Sequence, residues 1–150
     1  MIRTPIRSAA PAAILAATLA APALAEGALM TVVPSPGCGC CHAWAELAAE
    51  AGYDVEIRET DVQALKRQLG VAPEHASCHT ALVGGYVIEG HVPFDAIERL
   101  LDERPEITGL AVPGMPMGSP GMGDDPSARY DVIAFGGALD APEVFHRAGE

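Results

Sequence analysis

Leu29-Met30-Thr31-Val32-Val33-Pro34-Ser35-Pro36-Gly37-Cys38-Gly39-Cys40-Cys41-His42 is the stretch on which the reading of this chain turns. Leu29 to Val33 is a short β-prone run halted by Pro34 and Pro36, which predicts a buried strand ending just before three clustered cysteines. Beyond Cys40 the apolar positions Ala43, Trp44, Leu47, Ala48 and Ala51 recur at helical spacing, and Gly52 supplies the stop. If helical geometry holds from its start, Cys40 lies above Trp44 on the buried stripe. Tyr53 to Ile57 alternates and predicts a second strand. Strand, helix and strand in so short a span make a βαβ unit with a right-handed crossover.

Working outward, Asp61 is placed to cap a second helix, with Val62, Leu65 and Leu69 inward and Gly70 closing it. Thr80 to Val83, Gly84-Gly85 and Tyr86 to Ile88 form a strong hairpin signal. Pro93 opens a third helix, with Ile97, Leu100 and Leu101 inward, that ends near Pro105. The resulting order, β-α-β-α-β-β-α, is α/β and is that of a thioredoxin or glutaredoxin core, expected over about residues 29–105. The segment from Gly109 to Gly123 holds five glycines, three prolines and three methionines without periodicity and reads as a Gly/Pro/Met-rich loop. Within the remaining 124–150, Tyr130 to Phe135 reads as a strand and Pro142 to Arg147 as a final helical turn.

Residues 1–25 have the layout of a secretory signal: Arg3 and Arg7, then an Ala/Leu/Ile-rich run from Ala9 to Leu19, then the small-x-small series Ala23-Leu24-Ala25. The mature chain is therefore expected to be a single domain over 26–150, free of the membrane and located outside the cytoplasm, where thiols oxidise readily. The net charge is -11, and loss of the two leader arginines makes the chain more acidic still. Such a chain lacks the clustered Lys and Arg needed to neutralise phosphates, which argues against nucleic-acid binding.

Topology brings the fourth cysteine to the other three. The third strand should run antiparallel to the first, so Cys78, at its beginning, lies beside the end of the first strand. A helix begins at the cluster, and its free N–H groups favour thiolate there. A disulfide framework fits this pattern poorly, since only Cys78 is remote and a bridge within residues 38 to 41 closes almost no loop. A redox pair, Cys38 with Cys41, has the i, i+3 spacing of a thiol-disulfide oxidoreductase but leaves Cys40 and Cys78 unused.

Metal binding uses all four. Thiolate and thioether donors select Cu(I), whereas zinc would draw on thiolate with imidazole. Cys40 and Cys41, being adjacent, do not easily chelate one ion together, so several Cu(I) ions bridged by thiolates fit the crowding better. Met115, Met117 and Met122 lie in a polar segment where a core role is hard to defend, and His42 and His79 adjoin cysteines. These five are the weaker ligand candidates. His75, His91 and His146 read as ordinary core or surface histidines, and Trp44 as core that screens the site.

These motifs carry a resemblance. Cys38-Gly39-Cys40-Cys41 with Trp44, Ala76-Ser77-Cys78-His79-Thr80-Ala81, Tyr86 through Pro93, Gly109 through Pro116, and Gly118-Ser119-Pro120-Gly121-Met122 are together similar to the periplasmic CopG-type copper-resistance proteins. The similarity spans residues 29 to 135. It implies a thioredoxin-like fold and a copper cluster in the cell envelope held by Cys38, Cys40, Cys41 and Cys78, with Met115 and Met122 as further candidates. It also implies a part in copper tolerance; periplasmic copper chaperones and efflux components are the candidate partners, with free solution the alternative source of copper. Leu47 stands where members of that family often carry a helix histidine, and Gly123 where a glutamate commonly follows the last methionine. Relative to thioredoxins, Ser77-Cys78 replaces the cis-proline before the third strand, which weakens the oxidoreductase reading.

Overall fold

The computed structural model describes residues 27–150, so the leader expected over 1–25 lies outside the described residues. The architecture is α/β. Strands β1 (Leu29–Pro34), β2 (Asp54–Ile57), β3 (His79–Val83), β4 (Tyr86–Glu89), β5 (Gly109–Ala111), β6 (Tyr130–Phe135) and β7 (Glu143–Ala148) form one seven-stranded sheet, ordered β2-β1-β3-β4-β5-β6-β7. Helices α1 (Gly39–Glu50), α2 (Val62–Gln68) and α3 (Phe94–Glu103) connect them, with a short 3-10 turn at Pro73–His75. The expected order β-α-β-α-β-β-α is present through α3.

β1 runs parallel to β2 and antiparallel to β3, with Pro34 opposite His79. That register sets the start of β3 beside the end of β1. Because side chains alternate along a strand, the sheet buries both faces. Met30, Val32, Ala81, Val83, Ile88, Leu110, Val132 and Ala134 pack in one cluster with Trp44, Ala45 and Ala48 of α1 and Ile97 and Leu100 of α3. Leu82, Val87, Ala111 and Phe135 pack with Leu69 and Val71 in a second cluster, after α2.

Three sequence expectations are corrected. Residues 142–147 form no helical turn: β7 pairs antiparallel with β6 there, through a bulge between Val132 and Ile133. The Gly/Pro/Met segment begins as a strand, β5, whose three residues are wholly buried and lie parallel to β4. A three-residue strand is too short to show a period, so sheet pairing alone identifies it. On α1 the buried positions are Cys41, Trp44, Ala45 and Ala48, so Cys41 takes the inward place expected of Cys40. The buried positions are spaced i, i+3, i+4, i+7, a single helical face with Cys40 at its edge.

Candidate metal centre

Cys38 is the N-cap of α1, and its Sγ accepts the Cys41 N–H at 3.3 Å. The helix start therefore polarises this sulfur as a cap would. Cys38 and Cys41 are joined by a disulfide, with Cα atoms 5.4 Å apart, and Cys40 and Cys78 are free. Cys40 Sγ lies 3.4 Å from Cys38 Sγ and 3.9 Å from Cys78 Sγ. Cys41 Sγ sits 3.6 Å from the Cys78 carbonyl, a contact that becomes a hydrogen bond once the disulfide is reduced. All four sulfurs fall within 4.8 Å of one another. Strand direction brings this about: Ser35, just past β1, donates its N–H to the Cys78 carbonyl at 3.0 Å.

Cys78 also faces two imidazoles. His91 Nε2 is 3.0 Å and His79 Nδ1 3.5 Å from its sulfur, and both rings are fully buried. His91 Nδ1 lies 2.7 Å from the Pro120 carbonyl. A carbonyl only accepts, so Nδ1 carries the proton and the Nε2 lone pair points at Cys78. Burial, with the negative charge of Cys40 second, pushes the Cys78 thiol up to about 11. Burial first, then the cationic forms of His91 and Lys66, pulls His79 down to about 3. Burial likewise lowers His91. Without a metal, then, Cys78 is a thiol donating to a neutral His91.

His91, which the sequence leaves open as an ordinary core or surface histidine, is buried, and its place beside Cys78 is not part of that expectation. A signal existed. β4 is antiparallel to β3 with Glu89 opposite Thr80, so a residue two past Glu89 must lie beside Cys78 and His79. Gly90 makes the turn: its φ is +74°, and a Cβ there would meet Ser77 at 2.5 Å and the Val112 carbonyl at 2.7 Å.

The weaker candidates separate. His79 joins the site, with its ring 4.7 Å from that of Trp44 and 5.0 Å from that of His91. Trp44 is buried and donates Nε1–H to the Val92 carbonyl at 3.1 Å. His42 is exposed and lines a shallow surface pocket of about 250 Å³ with Ser35, Gly37, Glu59 and Thr60, apart from both donor groups. The loop bearing Met115, Met117 and Met122 is tied to the site by backbone: the Gly114 N–H donates to the Ala76 carbonyl, and Ser77 Oγ donates to the Gly114 carbonyl. Met115 and Met117 are exposed, while Met122 is half-buried. Among the described residues no helix is long and apolar enough to cross a membrane.

Four convergent sulfurs flanked by two buried imidazoles, at the end of a mixed sheet, define an α/β protein with a thiol-rich candidate metal site. Comparison with known proteins agrees. Residues 75–122 match a family model described as a protein of unknown function, DUF411. A solved structure named copper resistance protein CopG, form 1, is 37% identical, with 83% of this chain and 100% of that chain covered and a TM-score of 0.75. Form 2 of the same protein is 37% identical over 81% and 98%, with a TM-score of 0.73. No curated protein matches this chain. The chain belongs to the CopG family of copper-resistance proteins.

Proposed function

We propose that this chain is a periplasmic Cu(I)-binding protein. It holds several ions through Cys38, Cys40, Cys41 and Cys78 and serves copper resistance by sequestering copper, handing it on or changing its redox state. The observation that carries the reading is the gathering of four sulfurs within 4.8 Å, from one loop-helix junction and one strand start. This is a soft donor set, and soft donors select Cu(I). The element order β-α-β-α-β-β-α through α3 supports a thioredoxin-like core as the domain that presents it. Met115, Met122 and, further out, Met117 are the thioether candidates, for transfer more than for storage, since Met115 and Met117 face solvent. Copper is cargo here, received from or passed to envelope chaperones or efflux components.

The Cys38–Cys41 disulfide favours a second reading, thiol-disulfide exchange at that pair. The two separate in one experiment. The fully reduced chain is titrated anaerobically with Cu(I), and sulfur ligation and copper–copper distances are read by X-ray absorption. Several ions per chain on sulfur supports the first reading. One weakly held ion or none, together with efficient reduction of insulin disulfides, overturns it.

A further inference from the structure

The donors fall into two groups that share Cys78: the four sulfurs, and the set Cys78, His79 and His91, whose donor atoms also lie within 4.8 Å of one another. Closing the Cys38–Cys41 bridge removes two donors from the first group and none from the second. We infer that Cys78, His79 and His91 form a second site, overlapping the sulfur cluster at Cys78, for one divalent ion of the zinc class, usable while the disulfide is closed.

The chemistry differs from that of the sulfur cluster. One thiolate with two imidazoles is a borderline donor set, typical for zinc, and three protein donors leave a fourth position for water or an incoming group. Tetrahedral zinc at its usual bond lengths sets a sulfur and a nitrogen ligand about 3.6 Å apart. The Cys78–His79 separation is 3.5 Å, and the Cys78–His91 separation of 3.0 Å needs only a small outward movement. His91 is already oriented for the task. Pro120 holds its Nδ1 proton, the carbonyl partner that fixes the tautomer and aim of a metal-binding imidazole. The His79 ring lies tilted against that of Trp44, 4.7 Å between centroids, and turns its Nδ1 toward Cys78. The inference goes beyond the Cu(I) reading and does not depend on it.

The test uses the full chain in its disulfide form, checked by counting two free thiols. Co2+ is titrated as a spectroscopic probe, and Zn2+ by competition with a chromophoric chelator. The expected result is one ion per chain, with a thiolate-to-cobalt charge-transfer band that zinc abolishes. Cys78→Ser should remove the band, and His91→Gln should weaken zinc more than about tenfold. The triple variant Cys38→Ser/Cys40→Ser/Cys41→Ser separates the two sites, since Cys78 is then its one thiol and it should keep the cobalt band while losing Cu(I) stoichiometry. A six-coordinate cobalt spectrum without the thiolate band, or zinc affinity unchanged by Cys78→Ser, overturns the site. Variants are compared only where near-ultraviolet circular dichroism shows the native signal of Trp44, and the triple variant, which leaves every proposed donor intact and Cys78 as its one thiol, decides by itself if the others misfold: loss of its cobalt band overturns the site.

Discussion

The main-chain N–H of Ser77 donates to the carboxylate of Glu89 over 2.7 Å, so the residue before Cys78 is held by a buried charge. Glu89 is fully buried, and the same carboxylate takes Thr80 Oγ1–H at 2.7 Å and the Lys66 ammonium. Lys66, itself buried, also donates to Thr80 Oγ1 at 2.9 Å. One network thus joins α2, β3 and β4 to the loop that presents Cys78. Replacing Glu89 by Gln leaves the Lys66 charge buried and unmatched, a loss of about 3–5 kcal/mol. Urea unfolding of Glu89→Gln, Lys66→Met and the double variant should show the double variant recovering much of that loss. Additive losses would show that the pair is not coupled.

Gly121 is pressed onto α1. Its φ is +81°, and a Cβ there would lie 2.9 Å from the Cys40 carbonyl oxygen and 2.9 Å from the Trp44 nitrogen, atoms of a helix backbone that cannot yield. Gly121→Ala should therefore cost about 2–4 kcal/mol and lift the loop that carries Pro120 and Met122. Gly123 has the same φ of +81°, but its nearest neighbour is Met117 Cε at 3.8 Å. Gly123→Ala meets only backbone strain, about 1 kcal/mol. Thermal melts of the two variants should separate accordingly, and equal losses would refute close packing of the loop.

Acid should weaken the metal-free fold early. His79 titrates at about 3 in the fold and near its ordinary value when unfolded, and His91 is lowered in the same direction. The unfolded chain binds more protons between those values. Stability is therefore full above about pH 6.5 and falls as pH drops below it, by up to about 1.4 kcal/mol per pH unit for each such histidine. Denaturant unfolding at pH 7, 6 and 5, a window above most carboxylate titrations, should give a slope that His79→Gln reduces. A slope unchanged by that substitution would show that His79 does not drive it.

Trp44 anchors α1 to the turn that follows β4. Trp44→Phe deletes the bond to the Val92 carbonyl and leaves that oxygen buried without its partner, a loss of about 1–3 kcal/mol. Trp44 is also the only tryptophan in the chain. With its ring against His79, its emission should change when metal binds the native protein. An emission spectrum insensitive to saturating Cu(I) and to Zn2+ alike would show that neither ion approaches the ring.

Much of the site could be read before any coordinates. β1, α1, β2, the β3–β4 hairpin, α3 and β6 lie where periodicity and punctuation put them: helical spacing marks α1 and α3, β-prone runs the strands, and Gly84-Gly85 the hairpin turn. Antiparallel direction alone brought Cys78 to the cluster, and Pro34 opposite His79 realises it. β5 and β7 were not legible. Three residues of Gly109–Ala111 carry no period, and Glu143–Ala148 forms a strand because β6 offers it an edge.

The sequence by itself determined the α/β order, the cysteine spacing and the meeting of four sulfurs, all of which follow from local pattern and strand direction. Only the tertiary structure decided which partners those sulfurs have. The burial of Lys66 follows only from Glu89 and Thr80 around it, and His91 reads as an ordinary core or surface histidine until Gly90 turns it toward Cys78. The physical reason is that a buried polar group is defined by what satisfies it. Its partners here come from elements 13 to 29 residues away in the chain, and no local pattern records such pairings.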